Sequence, residues 1–103
     1  MLLITGASAQ FVGPSKSGQL TTVEQIQSGR RGQDVKLTGF VFKHIRDRYY
    51  LFRDATGEIR VRVDRPLWRG RTVTSKTKVR LVGRIDRDFL ELYVNVNQVE
   101  ILQ

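Results

Sequence analysis

The sequence contains no cysteine and only one histidine, His44. The first absence excludes disulfides, thiolate metal sites and a cysteine nucleophile. The second excludes a histidine cluster, so a zinc ion would need carboxylates around a lone imidazole, which is an uncommon ligand set. No nucleophile motif lies beside His44, and the glycines do not have the spacing of a phosphate-binding loop. The sequence therefore predicts a protein without catalytic activity, bound metal or cofactor.

Long apolar runs are also absent, and none approaches the roughly 20 residues that a membrane-spanning helix requires. Acidic residues are scarce, since 10 Asp and Glu stand against 18 Lys and Arg, which gives a formal charge of +8. All of this excess positive charge lies in residues 30–103, because the charged residues within 1–29 are Lys16 and Glu24, which cancel. A field of this sign attracts polyanions such as nucleic acid, anionic lipid or acidic glycan. The same charge also keeps a small domain soluble.

The first nine residues have the character of an export signal. An apolar start at residues 1–4 is followed by Ala7-Ser8-Ala9 before Gln10, and small residues at Ala7 and Ala9 suit signal peptidase. The segment lacks a positively charged start and is short. We interpret residues 1–9 as the tail of a truncated or mis-started export signal and residues 10–103 as a single domain. The alternative is a short apolar arm on a cytoplasmic protein.

Local patterns predict one short helix followed by five strands. A capping pattern, with Thr21 or Thr22 as the N-cap and Glu24 or Gln25 three residues on, indicates a helix at about 22–28 whose Val23 and Ile26 share one face. Thereafter apolar residues alternate with polar ones, which is typical of strands. The predicted strands are 35–41, 48–53, 59–63, 78–85 and 90–97.

Five short strands with one helix outside the strand series predict an all-β fold, a small closed barrel of the OB type. Gly39 and Gly83 fall on the inward side of strands one and four, where a barrel bends sharply. Asp54 and Gly57 bracket a tight turn, in which Gly57 is expected to supply a positive φ. Many OB-folds place a helix between strands three and four. Here residues 65–76 are too few for one and are expected to form a loop, so the N-terminal helix must cap the barrel.

OB-folds bind ligands on strands two and three and on the flanking loops. In this chain, the loops predicted at residues 43–47 and 86–88 contribute basic residues, and the strands contribute arginines with tyrosines that are able to stack on a base or sugar. The candidate ligand-binding residues are Lys43, His44, Arg46, Arg48, Tyr49, Tyr50, Arg60, Arg62, Trp68 and Arg87.

Each of these candidates also has a structural interpretation. Arg60 and Arg62 are placed to pair with acids such as Glu58 and Asp64, while Trp68 is placed to pin its loop to the barrel. The number of basic residues on strands one, three and four nevertheless favours a binding face, formed by Lys36, Arg60, Arg62, Lys78, Arg80 and Arg84. Phe40 and Phe42, on the outward side of the first strand, are expected to pack under the helix.

Several segments, in order and spacing, resemble one known family. They are Phe11-Val12-Gly13-Pro14, residues 34–39, residues 50–59 with Val63-Asp64, Trp68-Arg69-Gly70 and residues 82–86. Together they are similar to the bacterial OB-fold (BOF) family of small exported stress-tolerance proteins. The resemblance implies a periplasmic five-stranded barrel with a signal sequence, no known catalytic activity and a ligand in the envelope. The charge of +8 and the absence of a proline and an acid in residues 74–77 depart from the family pattern.

Three hypotheses follow for the function. The first is an exported monomer that binds an anionic or sugar-containing envelope ligand. The second is a cytoplasmic protein that binds single-stranded nucleic acid on its basic face. The third is a protein-interaction module that uses a strand edge or the Phe40 and Phe42 patch.

Overall fold

A computed structural model describes residues 19–89 and 91–102. Its five strands close a barrel in the spatial order β1-β2-β3-β5-β4, with β3 and β5 parallel and the other pairs antiparallel. This confirms the all-β, five-stranded OB-type barrel. The elements are helix α1 (Val23–Ile26), β1 (Asp34–Arg46), β2 (Tyr49–Asp54), β3 (Gly57–Arg62), a single-turn 3-10 helix (Arg65–Trp68) called here the β3–β4 turn, β4 (Val79–Arg87) and β5 (Leu92–Ile101).

The barrel interior is filled by the alternating apolar side chains of the strands. Phe52 of β2 lies at its centre, fully buried among aliphatic residues of the other strands. Removal of these apolar groups from water is the main stabilising term for the barrel. The fully buried core side chains are Val23, Ile26, Val35, Leu37, Phe52, Val61, Val63, Val79, Leu81, Ile85 and Val94.

Gly39 and Gly83 stand where neighbouring strands approach closely. A Cβ atom at Gly39 would collide with the carbonyl oxygen of Arg53 on β2, and one at Gly83 would collide with that of Asn95 on β5. Backbone atoms cannot yield as a flexible side chain can, so only glycine fits either position. The two glycines therefore allow the tight curvature that a small barrel needs.

Helix α1 closes one end of the barrel. Its capping box is complete, since the Thr22 hydroxyl accepts the N–H of Gln25 at 3.2 Å and the Gln25 side chain accepts the N–H of Thr22 at 3.1 Å. Val23 and Ile26 are both buried and belong to the barrel core. The predicted helix is therefore present, although it ends at Ile26 rather than near residue 28.

The carboxylate of Asp54 joins this helix to the β2–β3 hairpin. One oxygen accepts the N–H of Val23 at 3.0 Å. The other accepts the N–H and the hydroxyl of Thr56 at 2.8 and 2.6 Å and the N–H of Gly57 at 3.2 Å. Burial alone would raise the pKa of Asp54, but the hydrogen bonds from Thr56, Val23 and Gly57 together lower it.

The first predicted loop is in fact strand. Residues 43–47 were expected to connect strands one and two, whereas β1 continues to Arg46 and turns within Asp47 and Arg48. Asp47 adopts a left-handed φ of 49°, which an aspartate tolerates better than most residues. Shifts in register between Val41 and Lys43 and between His44 and Arg46 twist the end of the strand. These bulges conceal the regular alternation that would have predicted the longer strand.

Two other local expectations also change. The predicted loop 65–76 contains a 3-10 helix over Arg65–Trp68, with Pro66 in its first turn. The fifth strand runs over Leu92–Ile101 instead of 90–97. The positive φ expected at Gly57 is present, at 159°.

The expected packing of Phe40 and Phe42 against the helix is wrong. The guanidinium of Arg53 lies over both rings, 5.9 Å from the centroid of Phe40 and 5.3 Å from that of Phe42. Arg53 pairs with Phe40 across the β1–β2 ladder, which places the cation beside both rings. The helix instead directs Val23 and Ile26 into the barrel end.

Across residues 19–89 and 91–102, no helix combines the length and apolar character needed to cross a membrane.

Replacing Asp54 with asparagine tests the junction between helix and hairpin. The amide nitrogen would face one of the N–H donors, and a donor left unsatisfied costs about 1–3 kcal/mol of unfolding free energy. Urea unfolding followed by circular dichroism measures the loss. Asp34→Asn is the matched control because its exposed pair with Arg84 contributes about 0–1 kcal/mol. Equal losses in the two variants would contradict the assigned role.

The same variant gives a dependence on pH. Because the folded-state pKa of Asp54 is lowered, its contribution is fully present above the unfolded pKa and is lost as the pH falls through the folded pKa. We therefore expect the difference in unfolding free energy between wild type and Asp54→Asn to be constant above about pH 5 and to shrink at lower pH. Unfolding curves measured across this range check it, and a difference that grows as the pH falls would oppose it.

Candidate functional site

The structure separates the predicted ligand-binding residues into two surfaces. The adjacent tyrosines of β2 point in different directions, since Tyr49 contacts Arg60 and Tyr93, whereas Tyr50 contacts His44 and Trp68. This alternation follows from the two-residue period of a strand. We call the surface around Tyr50 the aromatic groove and the surface around Tyr49 the outer face.

The aromatic groove runs between the end of β1 and the segment that leads to β4. It encloses about 410 Å³. His44 and Tyr50 lie with ring centroids 4.7 Å apart, and Trp68 meets Tyr50 edge to face at 5.4 Å. The His44 Nε2 atom is 2.9 Å from the carbonyl oxygen of Asp47. The lining residues are Val41, Phe42, Lys43, His44, Tyr50, Trp68, Arg71, Val73, Thr74 and Ser75.

Arg71 holds the β3–β4 turn in position. Its guanidinium donates to the carbonyl oxygens of Leu67, Trp68 and Val99 at 3.2, 2.9 and 3.0 Å. Trp68 is half-buried and packs against the barrel core, as its structural interpretation requires, while it still lines the groove. Sequence reasoning missed Arg71 and residues 73–75, because bonds from a side chain to distant carbonyl oxygens leave no sequence pattern.

The electrostatic environment of the groove is positive. Lys43 lines it, and its lining residues include neither Asp nor Glu. Arg65 and Arg69, at the two ends of the β3–β4 turn, are exposed and form no ion pair within residues 19–89 and 91–102. A second depression of about 490 Å³ adjoins the groove, and His44 and Tyr50 line both. The lining of this depression also includes the cation of Arg65 and the carboxylate of Asp47.

The outer face differs from the groove because its central cation, Arg60, is already paired with carboxylates of the chain. Arg60 lies between two rings, 4.9 Å from the centroid of Tyr49 and 4.6 Å from that of Tyr93. Its Nη2 donates to Asp88 Oδ2 at 2.7 Å, and Glu91 Oε2 lies 3.4 Å from its Nε. Arg46 lies beside this cluster in a depression of about 580 Å³.

The remaining predicted site residues lie apart from the groove or are paired. Arg48 and Arg62 approach the same carboxylate of Asp64 at 3.5 and 3.4 Å, and Arg87 is the exposed last residue of β4. Of the six residues of the predicted basic face, four arginines form ion pairs and two lysines, Lys36 and Lys78, form none with any described residue. The remaining pairs are Arg80 with Glu100 and Arg84 with Asp34. The ion pairing that the structural interpretation expected is therefore present.

Two groups near the outer face have shifted pKa values. Burial, followed by the nearby charge of Asp86, raises the pKa of Tyr93. A hydrogen bond from the N–H of Arg87, followed by one from the Arg31 side chain, lowers the pKa of Asp86. The two groups are joined by a hydrogen bond, in which the Tyr93 hydroxyl donates to Asp86 Oδ2 at 3.3 Å. Within residues 19–89 and 91–102, no three His, Asp or Glu side chains come together in a way that could hold a metal.

Comparison with known proteins identifies the family. The profile described as "Bacterial OB fold (BOF) protein" matches residues 5–101. The chain belongs to this family. The resemblance noted from the sequence is thereby confirmed.

Two relatives define its position within the BOF family. Protein YgiW of Escherichia coli (strain K12) is 39% identical over 83 residues, which cover 81% of this chain. The chain spans 64% of the length of that relative. The calcium-regulated OB-fold protein CarO of Pseudomonas aeruginosa is 32% identical over 96 residues, covering 93% of this chain and 83% of CarO.

Solved structures agree with the fold. The structure of YgiW from E. coli superimposes with a TM-score of 0.77 at 39% identity, covering 89% of this chain and 97% of that one. A replication protein A heterotrimer bound to single-stranded DNA is similar at a TM-score of 0.58 and 16% identity, over 75% of this chain and 62% of that one. The second likeness shows the OB-fold alone.

Proposed function

We propose that this BOF protein is a non-enzymatic, monomeric, periplasmic binding protein of the stress-tolerance type. Its ligand is an anionic or sugar-containing molecule of the cell envelope, held in the aromatic groove. One observation carries the proposal. The groove combines ring faces with a lysine that has no ion-pair partner among the described residues, and its described lining contains no carboxylate.

The ring cluster supplies the contact area. Tyr50 and Trp68 are held by the core and by Arg71, so little side-chain freedom is lost when a ligand stacks on them. A base or sugar ring stacked on such an aromatic platform contributes about 1–3 kcal/mol. Thr74 and Ser75 add hydroxyl groups on the opposite wall.

The unpaired cations supply the preference for an anion. Lys43 has no acidic partner within residues 19–89 and 91–102, whereas most strand arginines already have one. A cation that is not already paired attracts an anion without first breaking an internal bond. The groove, rather than the basic face that the sequence favoured, is therefore the proposed site.

Single-stranded nucleic acid is the second candidate ligand. Arg65 and Arg69 begin and follow the turn that carries Trp68, so a stacked base would have phosphate-binding groups near it. Binding of this kind weakens steeply as the salt concentration rises, because counterions are released from the phosphates. Salt dependence therefore distinguishes this ligand from a neutral or weakly charged sugar.

A binding role is supported by the OB-fold that the name of one relative, CarO, describes, and by the state of the single histidine. Nε2 of His44 is engaged with the Asp47 carbonyl, and no nucleophile motif adjoins it. Of the two surfaces in the third hypothesis, the Phe40 and Phe42 patch loses support because Arg53 lies over both rings.

Binding is tested with labelled probes in an anisotropy titration. The probes are an acidic oligosaccharide, a neutral N-acetylglucosamine oligomer and an oligodeoxythymidylate, each at low and high salt. We expect Trp68→Ala to weaken binding of the preferred probe roughly tenfold or more, through loss of one stack. Phe89→Ala, which truncates a fully exposed ring elsewhere, is the matched control.

A charge reversal on β1 is the second part of the binding experiment. Lys43→Glu is expected to weaken binding, whereas Lys36→Glu, at an equally exposed and unpaired position on the same strand, leaves it unchanged. Trp68→Phe keeps a ring packed against the core, so it shows whether weaker binding by Trp68→Ala comes from misfolding. If no probe binds, or if both lysine variants behave alike, the groove is not the site.

The periplasmic location is supported by Ala7-Ser8-Ala9 and by family membership, although residues 1–18 lie outside the described residues. We expect the tagged protein, expressed from its full reading frame in a Gram-negative host, to fractionate with the periplasm and to begin at Gln10. Fractionation and N-terminal sequencing measure this. Recovery in the cytoplasm with an intact start would refute the location without affecting the binding test.

A further inference from the structure

We propose that the outer face holds a second, latent oxyanion-binding site centred on Arg60, which two carboxylates of the chain's own β4–β5 turn keep closed. The site uses none of the residues of the aromatic groove. It therefore stands independently of the proposed function.

The position of Arg60 is fixed before any ligand arrives. Its side chain is only 12% exposed and lies between the rings of Tyr49 and Tyr93, which meet each other edge to face at 5.8 Å. The rings hold the planar guanidinium and withdraw its charge from water. A charge held in this way requires an anionic partner, because burying it unpaired is costly.

The present partners satisfy Arg60 incompletely. Asp88 accepts from Nη2 at 2.7 Å, but Glu91 lies 3.4 Å from Nε without making a hydrogen bond. Nε is buried and has no hydrogen-bond partner among the described residues. The Nη2 donor of the guanidinium is thus hydrogen-bonded, whereas its Nε donor is not bonded to any described residue. A single phosphate or carboxylate group bridging Nε and Nη2 would make both bonds, which is the preferred geometry of arginine.

The closing element is small and exposed. Asp88, Phe89 and Glu91 belong to the turn between β4 and β5, which is held by an Asp88 N–H to Glu91 carbonyl bond of 3.2 Å and a Glu91 N–H to Asp88 Oδ1 bond of 3.1 Å. Phe89 is 97% exposed and adds no burial. Displacing the two carboxylates therefore moves a hairpin tip and leaves the barrel closed.

The approach to Arg60 is open on one side. The depression of about 580 Å³ reaches it between Ile45, Arg46 and Tyr49 on one wall and Glu91 on the other. Arg46 is exposed and forms no ion pair within the described ranges, so a second cation stands at the rim. An extended polyanion can then place one oxyanion on Arg60 and the next on Arg46.

The test removes the internal carboxylates without changing the size of the side chains. Asp88→Asn with Glu91→Gln opens the site. Asp34→Asn with Glu100→Gln, which removes the acidic partners of Arg84 and Arg80, is a control with the same change in net charge. The probes are an oligodeoxythymidylate, which offers phosphates, and an oligogalacturonate, which offers carboxylates. Both are titrated at low salt.

We expect the opened variant to bind at least one probe about tenfold or more tightly than the control, the size of one added charge-assisted hydrogen bond. Adding Arg60→Lys, which keeps the charge but lacks the fork, should abolish the gain. Adding Lys43→Glu to both the opened and the control variant should weaken any binding in the groove equally and so keep the ratio between the two affinities, which separates this site from the groove.

An equal gain in the opened and control variants would show a general charge effect and overturn the proposal. So would no gain in either, or a gain that survives Arg60→Lys. Glu91→Gln alone retains the Asp88 turn bonds and guards against a folding defect, and it should give a smaller gain of the same kind.

Discussion

One carboxylate, that of Asp54, ties the helix near the start of the described chain to the β2–β3 hairpin in its middle. It accepts hydrogen bonds both from the first turn of α1 and from its own hairpin, so the helix that fills the barrel end is fixed to the strands through it. Val23 and Ile26 of this helix belong to the barrel core. The aromatic groove and the outer face lie on the same hairpin, since β2 carries both Tyr49 and Tyr50 and ends at Asp54.

The sequence predicted much of the barrel because inward positions must be apolar and alternate, as in β3 and β4. It predicted Gly39 and Gly83 as bends for the same steric reason that the structure shows. It failed at the end of β1, where bulges break the alternation, and at β5, where turn residues mimic a strand start. Side-chain bonds to distant groups, such as those of Arg71, depend on tertiary positions that local patterns do not encode.

The net charge of +8 is a poor guide to where the protein binds, because charge is locally paired. Arginines on the strands face acids on neighbouring strands and turns, as Arg80 does with Glu100. The lysines and the arginines of the β3–β4 turn have no such partners among residues 19–89 and 91–102. Among the described residues, part of the unpaired positive charge lies around Trp68, at Lys43, Arg65 and Arg69, and part lies elsewhere on the strands, at Lys36, Arg46 and Arg87.

The parallel contact between β3 and β5 has a consequence for how the protein is made. In this contact, Val61 of β3 pairs with Val94 of β5. On the other side of the barrel, β1 pairs with β4. The barrel therefore closes only when both β4 and β5 are present. A nascent chain that has produced only β1–β3 is a three-stranded meander with one bare apolar side. The domain therefore becomes protected from aggregation and proteolysis only after β4 and β5 have been synthesised. In a protein that crosses a membrane before folding, this late closure leaves the chain unfolded, and so able to pass through a translocation channel, until β4 and β5 have been added.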